Sequence, residues 1–354
     1  MRLTLLLLLS FSLVGNAQNN VCFDIETNPY PNDAALSGFT KYVNVYGFEI
    51  FGETGVTDAQ VLHAAAVTAE LLDNDEDGTV DDAALLAQLV ASSALMPIFN
   101  SEGSPMENTF SSNYTGDGVS AVLYAEEVDP TQPGHWGDDA TVEEILHTIN
   151  HVGHTFLHPS AFGMAPNSSS MSNAMDLARG GQFTAVPASY PASAWYHYDD
   201  ETCDYGCMAI EYLYWCIVSN MGILDDPSTC SGIANEWEPC SQALLQSTDV
   251  AMYALITDPQ YKLPQLAPDG NYCPSVGIEE VISNGQIAFY PNPASKELTI
   301  TLKKEGSIQI IDLTGSVVFE SKFQAEKSVI DISMLASGQY LITGGAGSQK
   351  LIIE

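Results

Sequence analysis

The sequence predicts a mainly helical α+β core followed by a small all-β domain, and three patterns predict it. Capped runs with apolar residues every three or four positions recur from Thr57 to Thr257. In the same part of the chain, strand-like alternation is confined to two segments, residues 41–51 just before that stretch and residues 119–126 within it. After about Gln286 the helical period disappears, and short alternating runs punctuated by Gly, Pro, Asn and Asp take over.

In chain order, residues 41–51 alternate Tyr, Val, Asn, Val and Tyr as a strand does, and Gly52 to Gly55 ends it. Thr57-Asp58 caps a helix to about Leu72, with Val61, Leu62, Ala65, Ala69 and Leu72 at helical spacing. Beyond an acidic segment at residues 73–82, a second helix is expected from Ala83 to about Ala94. The Gly, Ser, Asn and Pro content of residues 100–117 reads as a long surface loop, and residues 119–126 as a further strand. Helices then dominate, at residues 141–151, 173–179, 207–220 and 250–257, before a Pro- and Gly-rich exit at 263–273.

The all-β segment carries four landmarks in order. They are Tyr290-Pro291-Asn292-Pro293-Ala294, the strand and turn from Ile308 to Gly315, the stretch from Leu335 to Leu341, and the terminal Lys350-Leu351-Ile352-Ile353-Glu354. This pattern resembles the type A sorting domain of the type IX secretion system. The resemblance implies an Ig-like sandwich, the secretion machinery as partner, and export through the periplasm to the outer cell surface or beyond. The other end agrees. Met1-Arg2, an apolar run from Leu3 to Val14, and the small residues of Gly15-Asn16-Ala17 read as a cleaved signal peptide. That run is too short to span a bilayer, so an integral membrane protein is not expected. The expected domains are a signal peptide (1–17), an acidic α+β core (18–277) and a sorting domain (278–354).

The core keeps only Lys41, Arg179 and Lys262 against 36 acids, because Arg2 leaves with the signal peptide and six lysines lie in the tail. A surface of that sign repels phosphate backbones, which argues against nucleic acid as a partner. Seven cysteines in an exported chain are read as disulfides. A bond between Cys22 and Cys273 would staple the two edges of the core, while Cys203 with Cys207 and Cys230 with Cys240 are local pairs. Cys216, inside an apolar helical run, is the expected buried free thiol.

Asp73-Asn74-Asp75-Glu76-Asp77-Gly78-Thr79-Val80-Asp81 places acids at positions one, three, five and nine, with glycine at six. Alternating carboxylates on a curled loop converge on one cation. The segment resembles the calcium loops of EF-hand and dockerin-type modules, which implies calcium held by Asp73, Asp75, Asp77 and Asp81 in a structural role. It departs from them at position twelve, where Ala84 replaces the bidentate acid.

Five of the seven histidines fall between His135 and His158. On a helix, Glu144, His147, His151 and His154 share one face, and Ile145, Ile149 and Val152 the other. Two imidazoles at i and i+4 can hold one zinc, and a catalytic zinc needs a third ligand and an open position. Glu211, the one charged residue of its apolar helix, is the candidate third ligand, since a buried carboxylate needs a compensating partner. The segment is similar to the zincin metallopeptidases in its histidine pair alone. Thr148 stands where their general base follows the first histidine, and Glu144, one turn earlier, is the candidate base.

Between Tyr190 and Trp215 aromatic residues alternate with Asp and Glu, a composition that suits either sugar binding or a packed core. Asp176 and Arg179, three apart, are expected to pair. The leading functional reading is an exported, calcium-stabilised, metal-dependent hydrolase acting on an extracellular peptide or polymer, with a zinc peptidase as its specific form. The alternatives are a non-catalytic surface or adhesion protein and a carboxylate-based glycoside hydrolase.

Overall fold

The computed structural model describes residues 22–135, 137–274, 288–301, 306–312, 315–323, 327–344 and 347–353. The expected signal peptide lies outside them. The chain divides into two compact units, Met1–Pro274 and Ser275–Glu354.

The first unit begins with β1 (Lys41–Val45) and β2 (Phe48–Gly52), an antiparallel pair in which Tyr42 faces Phe51. The single strand expected at residues 41–51 is therefore a hairpin. Tyr46 and Gly47 turn it with φ of 56° and 110°, the doubly positive conformation of a tight two-residue hairpin loop. Helices α1 (Asp58–Leu72) and α2 (Ala83–Ala91) follow as expected, α1 opened by a Thr57–Gln60 capping box. Next comes β3 (Leu95–Phe99), parallel to β2, and then α3 (Pro105–Asn113), which occupies the segment expected to be loop. A two-residue strand, β4 (Leu123–Tyr124), completes the sheet in the order β1-β2-β3-β4.

Side chains alternate across this sheet with the period of two that pleating imposes. Val43, Val45, Phe48, Ile50, Met96 and Ile98 join the main core, where α1 packs on β1 and β2. Tyr42, Phe51, Leu95 and Phe99 form a second core on the opposite face with Phe39 and Phe110.

The rest of the unit is helical: α4 (Thr141–Ile149), α5 (Thr155–Leu157), α6 (Pro159–Phe162), α7 (Ser170–Ala178), α8 (Tyr205–Asn220), α9 (Pro227–Gly232), α10 (Gln242–Thr248) and α11 (Val250–Ile256). Helix α8 is the hub, packed against α4, α7, α10 and α11, and it buries Met208, Leu213, Cys216 and Ile217. Disulfides join Cys22 to Cys273, Cys203 to Cys207 and Cys230 to Cys240, and Cys216 is a buried free thiol.

The second unit is all-β, with β5 (Ala288–Tyr290), β6 (Glu297–Thr301), β7 (Gly306–Asp312), β8 (Val317–Phe323), β9 (Lys327–Asp331), β10 (Gly338–Gly344) and β11 (Gly347–Ile353). They form a three-stranded sheet, β5-β6-β9, and a four-stranded sheet, β11-β10-β7-β8, both antiparallel. Leu298, Ile300 and Ile330 from the first sheet meet Ile308, Ile310, Ile342 and Leu351 from the second in one apolar core, a small sandwich.

Candidate metal centre

Helix α4 is fixed at its start by Asp139. One carboxylate oxygen accepts from the Thr141 N–H at 3.1 Å and hydroxyl at 2.6 Å, and the other bonds His63 of α1 at 3.0 Å. Val142, Ile145, Leu146 and Ile149 then bury the helix against the main core. After Ile149 the backbone widens into a π-helical turn, Asn150–His154. Asn150 holds the His154 imidazole at 3.0 Å, and the Thr155 hydroxyl donates to the His151 carbonyl.

This turn redistributes the four residues expected on one face. A π turn takes more residues per turn than an α-helix, so the 3.6-residue spacing fails beyond it. His147 and His151 face one cavity, while His154 is wholly buried against Phe162, where burial pushes its pKa down to about 4.

His147, 6% exposed, stands between two carboxylates. Its Nδ1 lies 3.3 Å from Glu144 Oε2, and its Nε2 lies 3.3 Å from Glu211 Oε2, brought across by α8. The second contact is not aligned as a hydrogen bond, so Nε2 is a buried polar atom without one. Burial alone would lower the imidazole pKa, but Glu144 and Glu211 hold it well above its ordinary value. His151 Nδ1 meets Ser120 Oγ at 2.8 Å. His147, His151, Glu211, Ser120, Asp204 and Cys207 share the wall of a cavity of about 350 Å³, with Met164 and Ile210 as its apolar part.

Glu144 is not part of that wall. It faces the opposite ring nitrogen of His147, one turn back along α4. Glu143, Glu144 and His147 also place ligand-type atoms within 4.8 Å of one another. Burial pushes the Glu143 carboxyl there up to about 7.

The acidic loop runs from the end of α1 to the start of α2. Asp73, Asp75 and Asp81 bring carboxylate oxygens within 4.8 Å of one another. Asp73 is buried, and accepts from the N–H of Gly78 at 2.8 Å and of Asp77 at 3.2 Å, and from the Tyr272 hydroxyl. Gly78 sits at φ +88°, the left-handed turn for which glycine is suited. Asp77 stands apart from the trio, with Oδ1 accepting from Thr79 N–H at 2.8 Å. Ala84, at position twelve, lies in the first turn of α2, where Asp82 caps its N–H at 2.8 Å.

Residues 288–354 match the family model of the secretion system C-terminal sorting domain. The C-terminal unit is a type IX secretion sorting domain. Among curated proteins none matches the chain. One solved structure, of AaCel9A in complex with cellobiose-like isofagomine, is 19% identical over 20% of this chain and 15% of that one, with a TM-score of 0.16. That likeness carries no argument.

The sorting domain marks the protein for export to the cell surface or extracellular space through the type IX machinery. No helix among the described residues is long and apolar enough to cross a membrane. Export to an oxidising space accounts for three disulfides in the unit that the sorting domain follows.

Two further expectations meet the structure differently. Arg179 does not pair with Asp176. As the C-cap of α7 it turns inward, is 0% exposed, donates from Nη1 to the Phe183 carbonyl at 2.6 Å, and lies over the Phe183 and Tyr190 rings. Asp176 instead bonds Tyr205 and Gln182. The aromatic segment is largely core: Tyr196, Tyr212 and Trp237 pack on one another without exposure, and Asp249 accepts from Tyr212 and Trp195. Ser120, His63 and Glu143 were not marked by the sequence, since none belongs to a spaced motif.

Proposed function

We propose that the core is a metal-dependent hydrolase with a zinc held by His147, His151 and Glu211, stabilised by calcium at Asp73, Asp75 and Asp81 with Asp77 shaping the loop. The observation that carries the zinc reading is the His147 Nε2 atom, buried without a hydrogen bond 3.3 Å from Glu211 Oε2 on a cavity wall shared with His151. Two ligands on a tetrahedral zinc, each about 2.0–2.1 Å from the metal, stand roughly 3.3 Å apart. Two imidazoles and one carboxylate are the donor set of hydrolytic zinc sites, and the cavity leaves room for the water that such a zinc activates.

Metal analysis of the exported protein tests this. One equivalent of zinc, lost in the His147→Ala/His151→Ala double variant, is expected, and calcium alone would overturn the zinc site. Hydrolysis of casein or gelatin abolished by a zinc chelator is expected for a peptidase. Zinc without hydrolysis of peptides, esters or glycans would reduce the site to a structural one. For the loop, calcium is expected to raise the melting temperature of the parent protein and not of Asp75→Ala. Equal melting in calcium and in chelator would remove that site.

A further inference from the structure

We propose that the cavity beside His147 takes the basic side chain of a peptide, and that Asp204 is the residue that selects it. The inference rests on the reading of this cavity as the substrate site of a hydrolase and names the class of that substrate. Glu211 and Asp204 are the acids on the wall, and no Lys or Arg among the described residues lines it. In the metal reading Glu211 is a ligand, which leaves Asp204 as the uncommitted charge. His147 marks the cavity as a place for a ligand, since it is 6% exposed and lines the wall with its Nε2 lacking a hydrogen bond.

Asp204 is fixed before any ligand arrives. As the N-cap of α8 it accepts from the Cys207 N–H through Oδ1 at 2.9 Å, while the residue stays exposed and no described residue bonds its Oδ2. The Cys203–Cys207 disulfide closes the turn around it, and Asp200 ties the preceding turn by accepting from the Thr202 N–H and hydroxyl, each at 2.8 Å. A carboxylate held in this way spares part of the ordering cost of binding. Asp199, Asp200 and Glu201, exposed just upstream, add to a field of the same sign. None of the three cations of the core answers it. Lys41 lies 3.7 Å from Asp58, Lys262 donates to the Asp81 carbonyl at 2.7 Å, and Arg179 is buried against Phe183 and Tyr190. An ammonium or guanidinium brought by the ligand supplies the missing charge. Its methylene stem suits Met164 and Ile210, the apolar part of the wall, because long basic side chains lay their stems on apolar surface and keep the charged head in a polar setting. The cavity, about 350 Å³, is within the range of sites that enclose small groups.

Binding of acetylated pentapeptide amides to the full exported chain, alanine except for a central Arg, Lys, norleucine or Glu, tests the inference by calorimetry without reference to turnover. The Arg and Lys peptides are expected to bind about tenfold tighter than the norleucine peptide, the effect of one hydrogen bond to a charged group, and the Glu peptide more weakly still. Asp204→Asn is expected to bring the Arg and Lys peptides down to the norleucine level. Asn caps helices as well as Asp does, so this variant is expected to melt as the parent does. Glu201→Gln, which removes one charge from the same rim, is expected to keep most of the preference. Equal binding of the Arg and norleucine peptides, a preference that survives Asp204→Asn, or an equal loss in Asp204→Asn and Glu201→Gln would overturn the inference. The same peptides separate it from the hydrolase reading. Basic peptides that bind preferentially but are never cleaved would overturn the hydrolase and leave the basic site standing, whereas cleavage of all four alike would do the reverse.

Discussion

His63 Nε2 and Asp139 Oδ2 meet at 3.0 Å with both side chains completely buried. The contact ties the middle of α1, whose end opens the acidic loop, to the first turn of α4, whose far end carries His147. Asp139 also accepts from Thr141, so one carboxylate serves as both bolt and cap. Removing one partner of a buried polar pair strands the other, at a cost of about 1–3 kcal/mol. Asp139→Ala is therefore expected to lose about that much in urea denaturation. A loss below about 1 kcal/mol would mean the pair is no more than a surface-grade contact.

The wholly buried His154 makes a pH signature. Its pKa is pushed down to about 4 by burial, with the neighbouring His158 adding to the shift. Between the unfolded value of about 6.5 and about 4, the unfolded chain binds the proton and the native one does not, so stability falls as pH drops through that window. The loss approaches about 3 kcal/mol at the acid end. His154→Gln, which can still bond Asn150, is expected to flatten this limb. Parallel stability curves for the two proteins from pH 7 to 4 would refute it.

Much of this was legible in the sequence where the physics is periodic or pairwise. The 3.6-residue pattern marks α1, α2, α8 and α11, and cysteine placement marks all three disulfides. Glu211 was legible as the single charge of an apolar helix, and the fold does bring it to His147. Other features depend on contacts that leave no local trace. β3 is a short, uniformly buried run containing Pro97, so it shows no alternation. The Tyr46-Gly47 turn lacks the usual Asn or Asp in its first position, which disguises the hairpin. The π turn breaks the spacing on which a shared histidine face was argued, and so hides the separation of His154 from His151.

Glu70 gives the opposite pH dependence. It is buried at the end of α1, one oxygen accepting from the N–H groups of Asp269 and Gly270 and the other without a partner. Burial pushes its carboxyl up to about 8. From about 4.5 to about 8 the native state holds a proton that the unfolded chain releases, so stability falls as pH rises through that range. Glu70→Gln mimics the protonated acid at every pH. In chelator, the parent is expected to lose about 2–4 kcal/mol more than the variant between pH 5 and 8. Equal losses would show that Glu70 is already ionised in the fold.

The Cys22–Cys273 bond closes a loop with a sequence separation of 251, the longest constraint a disulfide places on this chain. Both strands it joins are tied to the core: Cys22 N–H donates to the Tyr272 carbonyl at 3.0 Å, and Glu26 bridges Tyr42 at the sheet edge. Tyr272 in turn donates its hydroxyl to Asp73. The staple therefore holds the exit segment against the acidic loop. In the chain-entropy account, opening a loop of this size costs about 5.5 kcal/mol. Cys22→Ser/Cys273→Ser is expected to lose that stability, and also to weaken the calcium-dependent gain in melting temperature because Tyr272 no longer steadies Asp73. A variant that loses stability but keeps the full calcium gain would separate the staple from the loop, and one that loses neither would show that the ends are held by packing alone.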